Sequence, residues 1–348
     1  MTLTSVADPA LTGFDAIIDV RSPSEFAQDH LPGAINLPVL SDEERAQVGT
    51  IYKQVSPFDA RKLGAALVAA NAARHIAGPL AGYPGSWRPL VYCWRGGQRS
   101  GGFGVILSQI GWRVCRIAGG YKAWRRLVVG RVQTGGIPAP VIVLDGNTGS
   151  AKTAILSRLA ARGVQVIDLE GLANHRGSLF GAMPGGQPGQ KLFEGRLATE
   201  LDRLDPARPV VIEAESSRIG ALTLPRAVWQ AICTAPRIRL SVPVAERAAF
   251  TARTYDATAD AAAIVNRLRP LHPADRIENW LALADRGDWP ALAEGLMRDH
   301  YDPRYEKHRA RFGDREQAVV TVDRLDDGGL DSAADAVQAA LNAWANTG

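Results

Sequence analysis

The chain has 348 residues, 46% hydrophobic and 22% charged, with a mean hydropathy of −0.09; two domains with buried cores are expected, and a disordered tail or a long coiled coil is excluded. No run of about 18 apolar residues occurs, and residues 1–10 lack the basic and apolar regions of a signal peptide, so a cytoplasmic protein with no membrane association is expected. The net charge of +4 hides an uneven distribution, because no Asp or Glu lies between Asp59 and Asp145 while twelve Lys and Arg do.

Such a window suits an anionic partner. Residues 16–20, a β-branched apolar run bounded by turn chemistry, predict a buried parallel strand, and residues 89–92 a second. Helical spacing of Phe103, Ile106, Leu107 and Ile110, ended by Gly111, predicts a helix over 101–110, and residues 114–117 a third strand. Breakers cluster over 130–140, the expected linker. Strand 141–144, a glycine loop over 145–153 and helix 154–160 open the next domain, with strands at 164–169, 209–213 and 238–242. Past Pro243 the pattern is helical, through the charged and aromatic stretch 298–315 to an amphipathic piece at 331–344. Strands alternating with helices give an α/β class with parallel sheets.

Three cysteines, Cys93, Cys115 and Cys233, are too scattered for a disulfide framework or a paired zinc site. Cys115 and Cys233 sit in ordinary structural contexts. Cys93-Trp-Arg-Gly-Gly-Gln-Arg-Ser100, by contrast, lies between a predicted strand and a predicted helix, where backbone N–H groups, the helix terminus, Arg95 and Arg99 all favour a thiolate. A catalytic nucleophile at Cys93, aided by Arg95 and Arg99, is one expectation; a buried, inert cysteine at the end of a strand is the other.

With Asp19-Val-Arg-Ser-Pro-Ser-Glu-Phe26, His30-Leu-Pro-Gly-Ala-Ile-Asn36 and Ala118-Gly-Gly-Tyr-Lys-Ala-Trp124, this loop completes four ordered motifs that resemble a rhodanese domain. The resemblance implies that Cys93 carries sulfur or a heavier chalcogen as a covalent adduct. Trp94, Trp112, Tyr121 and Trp124 lie among the arginines, where stacking on a splayed base is one use and core packing the other, the latter favoured for Tyr121 and Trp124.

Gly146-Asn147-Thr148-Gly149-Ser150-Ala151-Lys152-Thr153 matches the phosphate-cradling GxxxxGK[ST] pattern except at Ala151. Lys152 is expected to reach terminal phosphates and Thr153 to be available to magnesium; a positive φ at Ala151 would cost about 1–2 kcal/mol. Candidate diphosphate, magnesium or RNA contacts follow at Asp168, His175, Arg176, Ser178, Glu213 and Glu215, each equally readable as a solvated loop or strand-end residue. No metal site is firmly marked.

The rhodanese motifs, the P-loop, Asn174-His-Arg-Gly-Ser-Leu-Phe-Gly181 and Ile212-Glu-Ala-Glu-Ser-Ser-Arg-Ile-Gly220 together resemble the tRNA 2-selenouridine synthase family. The resemblance implies a rhodanese-like domain over 1–130, a linker over 131–140, a P-loop NTPase-like α/β domain over 141–243 and a helical C-terminal region over 244–348, whose charged stretch 298–311 reads equally as a tRNA contact or as a solvated helix face. It further implies a transferase acting on wobble 2-thiouridine of tRNA: geranylation of the sulfur from geranyl diphosphate, then exchange for selenium from selenophosphate, with Cys93 as selenium carrier. No tightly bound cofactor is expected beyond these substrates and magnesium, and a selenophosphate-producing enzyme is the expected protein partner. The residues alone leave two alternatives, a sulfurtransferase fused to an ATP-dependent kinase or ATPase, and a non-enzymatic RNA- or phosphate-binding sensor.

Overall fold

The computed structural model describes residues 1–177, 181–254, 261–310 and 315–345. They form two compact units, 1–135 with 189–203, and 136–188 with 204–348. The first unit runs β1 (Ala16–Asp19), α1 (Pro23–Gln28), β2 (Ala34–Asn36), α2 (Asp42–Gln54), α3 (Pro57–Ala77), β3 (Pro89–Tyr92), α4 (Gln98–Ile110), β4 (Cys115–Arg116) and α5 (Gly120–Val129). Its sheet is wholly parallel, in the order β2-β1-β3-β4. Ile18, Val20, Val91, Phe103 and Leu107 pack in one core under α3 and α4, which is why β1 and β3 read as continuous apolar runs. Gly111 ends α4 at φ 111°, the left-handed stop its sequence position predicts. The three-residue strand β2 is too short to show a period.

Three of the four aromatics are core residues: Trp124, Tyr121 and Trp112 are buried, and Trp112 Nε1–H donates to the Pro84 carbonyl at 2.9 Å. Stacking of Trp112 on a base is therefore not available. Trp94 is half-buried against the Tyr121 ring.

The second unit runs β5 (Val141–Gly146), α6 (Lys152–Ala161), β6 (Gln165–Ile167) and α7 (Leu169–Ala173). The chain then passes through α8 (Gln190–Arg203), which counts with the first unit. It returns with β7 (Val210–Glu213), a small hairpin of β8 (Arg218–Ile219) and β9 (Leu222–Thr223), α9 (Arg226–Thr234), β10 (Arg237–Ser241), α10 (Val244–Thr254), α11 (Ala261–Arg267), α12 (Ala274–Asp285), α13 (Trp289–Leu296), α14 (Asp302–Arg309), β11 (Glu316–Thr321) and α15 (Asp327–Ala345). The parallel sheet has the order β11-β10-β5-β7-β6. β5 is central, so the phosphate loop at its C-terminal end opens where ligands of such sheets bind.

Two features depart from the contiguous boundaries read in sequence. Helix α8 is held by the first unit: Asp202 accepts from Arg131 at 2.5 Å and from the Val6 N–H at 2.6 Å, Arg125 pairs with Glu194, and Gly195 lies so close to Trp124 that a Cβ would stand 2.8 Å from the ring. The region after Pro243 is also not purely helical. β11 adds an edge strand beside β10, and α15 packs on α6 through Val337, Leu341 and Leu156 in the core of the same sheet. Its acids Asp327, Asp331 and Asp335 pair with Arg158 of α6 and with Arg162 at its C-cap.

Candidate active site

In the first unit Cys93 follows directly on the central strand β3 and is 3% exposed. Ser100 Oγ–H, in the first turn of α4, donates to Cys93 Sγ at 3.2 Å, so the thirteen-residue helix brings both a hydroxyl donor and its positive end to the sulfur. The loop is locked from the other side by the Gly119-Gly120 turn. Tyr121 N–H donates to the Cys93 carbonyl at 2.9 Å and Lys122 N–H to that of Trp94 at 3.0 Å. A Cβ on Gly120, whose φ is +58°, would lie 2.2 Å from the Cys93 carbonyl oxygen, and one on Gly96 2.8 Å from that of Ile117. Only glycine admits this approach.

Arg95 is exposed, whereas Arg99 forks onto Glu25, with Nη1 to Oε2 at 2.7 Å. Burial raises the Glu25 pKa, but Arg99 outweighs it and holds the carboxyl below its usual range. The charge of Arg99 is thus shared with Glu25 rather than free for the thiol. The Asp19-Val-Arg21 motif is a brace: buried Arg21 bridges Asp19 at 2.6 Å, donates to the Asp29 carbonyl at 2.6 Å and stacks 4.0 Å over the Tyr121 ring.

In the second unit, the loop after β5 folds as a phosphate cradle. Ala151 has φ 56° and ψ 29° at the N-cap of α6. This is the left-handed conformation that glycine holds without cost. Ala151→Gly is therefore expected to stabilise the protein by about 0.5–1 kcal/mol, since relieving about 1–2 kcal/mol exceeds the added unfolded-state entropy of about 0.4–1 kcal/mol. Urea unfolding checks this, and a less stable variant would contradict the strain.

Lys152 is buried and donates to the Gly146 carbonyl at 2.9 Å, with its Nζ 5.7 Å from the Tyr305 ring centre. Burial pulls its pKa down, yet Tyr305, Glu170, Glu215 and Asp145 outweigh this and keep the ammonium charged. The loop is clamped from several elements. Asn147 accepts from Arg309 at 2.8 Å, the Thr148 carbonyl from Arg247 at 3.0 Å, and Ser150 Oγ–H donates to the Asn147 carbonyl at 2.5 Å. Gly149, at φ +82°, leaves no room for a Cβ beside Met297 and Thr251.

The carboxylates split into distinct roles. Asp168 caps α7, accepting from the Gly171 N–H at 2.7 Å, and is not the end of β6. Glu170, which the sequence reading did not single out, accepts from Thr153 Oγ1 at 2.9 Å. Glu213 accepts from the Glu170 N–H at 2.7 Å, while its second oxygen is buried without a hydrogen-bond partner. Burial, then Glu170, Asp168 and Glu215, push the Glu213 pKa well up. Burial and Glu170 likewise push Glu215 up to about 8, against the pull of Lys152. Gly177, at φ +64°, packs against both Glu170 and Glu215.

A raised folded-state carboxyl pKa favours the native state at low pH, and this contribution is lost as pH rises from about 4.5 to about 8. Glu215→Gln is thus expected to flatten the fall of the melting temperature over this range, with its largest gain above pH 8. An unchanged pH profile would remove Glu215 as the titrating group.

A cavity of about 390 Å³ joins these parts. Of the expected residues Thr148, Gly149, Ser150, Lys152, Thr153, Asp168 and Arg176 line it, together with Glu170, Met183, Phe250 and Tyr305. It thus combines phosphate-binding groups with an apolar surface. Gly146 and Asn147 support the loop without lining the cavity, and Glu213 and Glu215 are buried. His175 lines a different cavity, its Nδ1 buried without a hydrogen-bond partner and its pKa lowered by burial against the opposing effect of Glu170. Arg176 donates to the Thr254 carbonyl at 3.1 Å, and Ser178 lies outside the described residues. Among the described residues no group of three or more His, Cys, Asp or Glu side chains is placed to hold a metal. Thr153 and Glu170 do offer oxygens of the kind magnesium takes along with substrate phosphates. No helix among the described residues is long and apolar enough to cross a membrane.

A thiol loop on a parallel α/β unit and a phosphate loop on a second define a rhodanese-like domain coupled to a P-loop domain. Residues 3–127 match the rhodanese-like domain family, and residues 139–270 the family described as the tRNA 2-selenouridine synthase AAA domain. Three relatives named tRNA 2-selenouridine synthase are similar to the chain. The one from Aeromonas salmonicida is 40% identical over 242 residues, covering 69% of this chain and 64% of its own length. That from Sulfurovum sp. is 38% identical over 270 residues, covering 76% and 71%, and that from Alcanivorax borkumensis 38% over 242 residues, covering 69% and 66%. The chain belongs to the tRNA 2-selenouridine synthase family.

Proposed function

We propose that the chain converts wobble 2-thiouridine of tRNA to 2-selenouridine in two steps. In the first, geranyl diphosphate alkylates the sulfur: the allylic C–O bond breaks, a C–S bond forms, diphosphate leaves with the bonding pair, and the base loses its N3 proton. In the second, selenium from selenophosphate adds at C2, geranyl thiol leaves, and water takes up the phosphoryl group as phosphate. Cys93 serves this second step as a nucleophile: its thiolate takes the phosphoryl group of selenophosphate, the P–Se bond breaks to free the selenide that adds at C2, and water then releases the thiol and phosphate. Alkylation turns a poor leaving group into a better one, which makes the order of the steps chemically sensible.

The observation that carries this reading is the cavity in which Lys152, Ser150 and Thr153 stand with Met183, Phe250 and Ala154, a lining suited to a diphosphate bearing a hydrocarbon chain. Thr153 and Glu170 would hold a magnesium ion, which would supply charge neutralisation for the leaving diphosphate. The basic window supports an RNA partner. Arg61, Arg74, Arg88, Arg95, Arg113, Arg116, Lys122 and Arg126 are exposed, while Lys62, Arg99, Arg125 and Arg131 are tied to carboxylates. The test is mass analysis of nucleosides from 2-thiouridine tRNA incubated with the protein and geranyl diphosphate, then with selenophosphate. ATP turnover independent of RNA, with no geranylated product, would favour a kinase or ATPase on the same loop instead.

A further inference from the structure

A second cavity, of about 580 Å³, opens in the P-loop unit. Thr148 and Tyr305 line it as well as the phosphate-loop cavity, so the two adjoin across these residues. Its other walls carry Arg267, Arg304, His175 and the 55%-exposed Leu271. Both guanidiniums are exposed, and among the described residues neither forms an ion pair with a carboxylate.

Arg304 is nevertheless held in place. Its Nη1 donates to Nδ1 and to the carbonyl of His300, a residue only 3% exposed that also lines the cavity. Burial, then Arg304 and His272, push the His300 pKa down to about 4, so the imidazole is neutral and adds no charge repulsion; its Nδ1 also lies 2.8 Å from His272 Nε2, and its carbonyl is a second acceptor for the guanidinium. A buried neutral acceptor behind an exposed cation fixes the fork that faces the cavity.

The volume falls within the range of about 300–1,000 Å³ typical of small-ligand sites. Two guanidiniums suit phosphodiester oxygens, and the Tyr305 ring with Leu271 suits the flat face of an unstacked base. We propose that this cavity is the acceptor subsite, which takes one RNA nucleotide and its flanking phosphates and sets its base beside the diphosphate held by the phosphate loop. The proposal rests on the function proposed above and adds to it where the acceptor sits.

The test uses the whole chain and an RNA hairpin carrying one 2-thiouridine. Arg304→Ala and Arg267→Ala are each expected to raise the hairpin Kd and the KM for geranyl transfer about tenfold, the loss of one charge-assisted hydrogen bond, with the Kd for geranyl diphosphate unchanged. Arg304→Lys, which keeps the charge but not the fork, should fall between, and the exposed Arg286→Ala should match the unsubstituted chain. Circular dichroism checks that each variant is folded. Hairpin binding unchanged in both alanine variants overturns the proposal. So does loss of inorganic phosphate binding with hairpin binding intact, which would make the cavity a site for a small oxyanion. Absence of geranyl transfer by the unsubstituted chain would defeat the functional reading, while the hairpin Kd, measured without geranyl diphosphate, still decides the cavity.

Discussion

Serine in place of Cys93 is expected to abolish selenium insertion while leaving geranyl transfer unchanged. The substitution exchanges one atom at a position that is 3% exposed and already hydrogen-bonded to Ser100, so the loop and the β3–α4 junction should keep their shape. What changes is chemistry. An alkoxide is far less accessible than a thiolate, so the hydroxyl is a much weaker nucleophile near neutral pH. Neither Ser100 nor the end of α4 compensates, because both stabilise an anion that serine does not form near neutral pH. Nucleoside mass analysis of tRNA taken through both steps should therefore show the geranylated nucleoside accumulating and no 2-selenouridine. Full selenation by the variant would take Cys93 out of the path. Loss of geranylation as well, in a protein with unchanged melting, would place the thiol in the first step.

The outcome bears on how the site came to be readable. The cysteine loop, the phosphate loop and the turns that lock them are contiguous stretches whose glycines are demanded by local backbone geometry, such as Gly120 against Cys93. Local pattern therefore revealed them. The groups that clamp these loops come from far along the chain, and nothing local marks them. Arg309 reaches Asn147, Tyr305 stands over Lys152, and Glu170, rather than the candidate Asp168, takes the Thr153 hydroxyl. β11 carries a short β-branched run, Ala318-Val-Val-Thr321, but it lies between stretches that read as helical, 298–315 and 331–344, and that neighbourhood masked it. The charge window misled for a related reason. It holds no acid in sequence, yet folding brings Glu25, Glu194 and Asp202 onto Arg99, Arg125 and Arg131. The cationic field that faces solvent is smaller than the count of basic residues.

Lys152→Ala is expected to weaken geranyl diphosphate binding about 10- to 100-fold, the scale of a lost charge-assisted contact to a buried anion. The loss has two parts. The ammonium that would meet the phosphates is removed, and Glu170, Glu215 and Asp145 lose the cation that offsets their repulsion of an anion. Asp145 retains Arg237 and Arg309, at 3.3 and 3.4 Å, so the unbalanced charge falls mainly on the Glu170–Glu215 side of the cavity. The defect should accordingly deepen with pH as Glu215 ionises, and ease when Glu215→Gln is combined with Lys152→Ala. Calorimetric titration with geranyl diphosphate and with geraniol separates this from general damage. The apolar contribution of Met183 and Phe250 should survive, so geraniol binding stays and only the advantage of the diphosphate disappears. Equal affinity of Lys152→Ala and the unsubstituted protein for geranyl diphosphate would move the diphosphate off this loop.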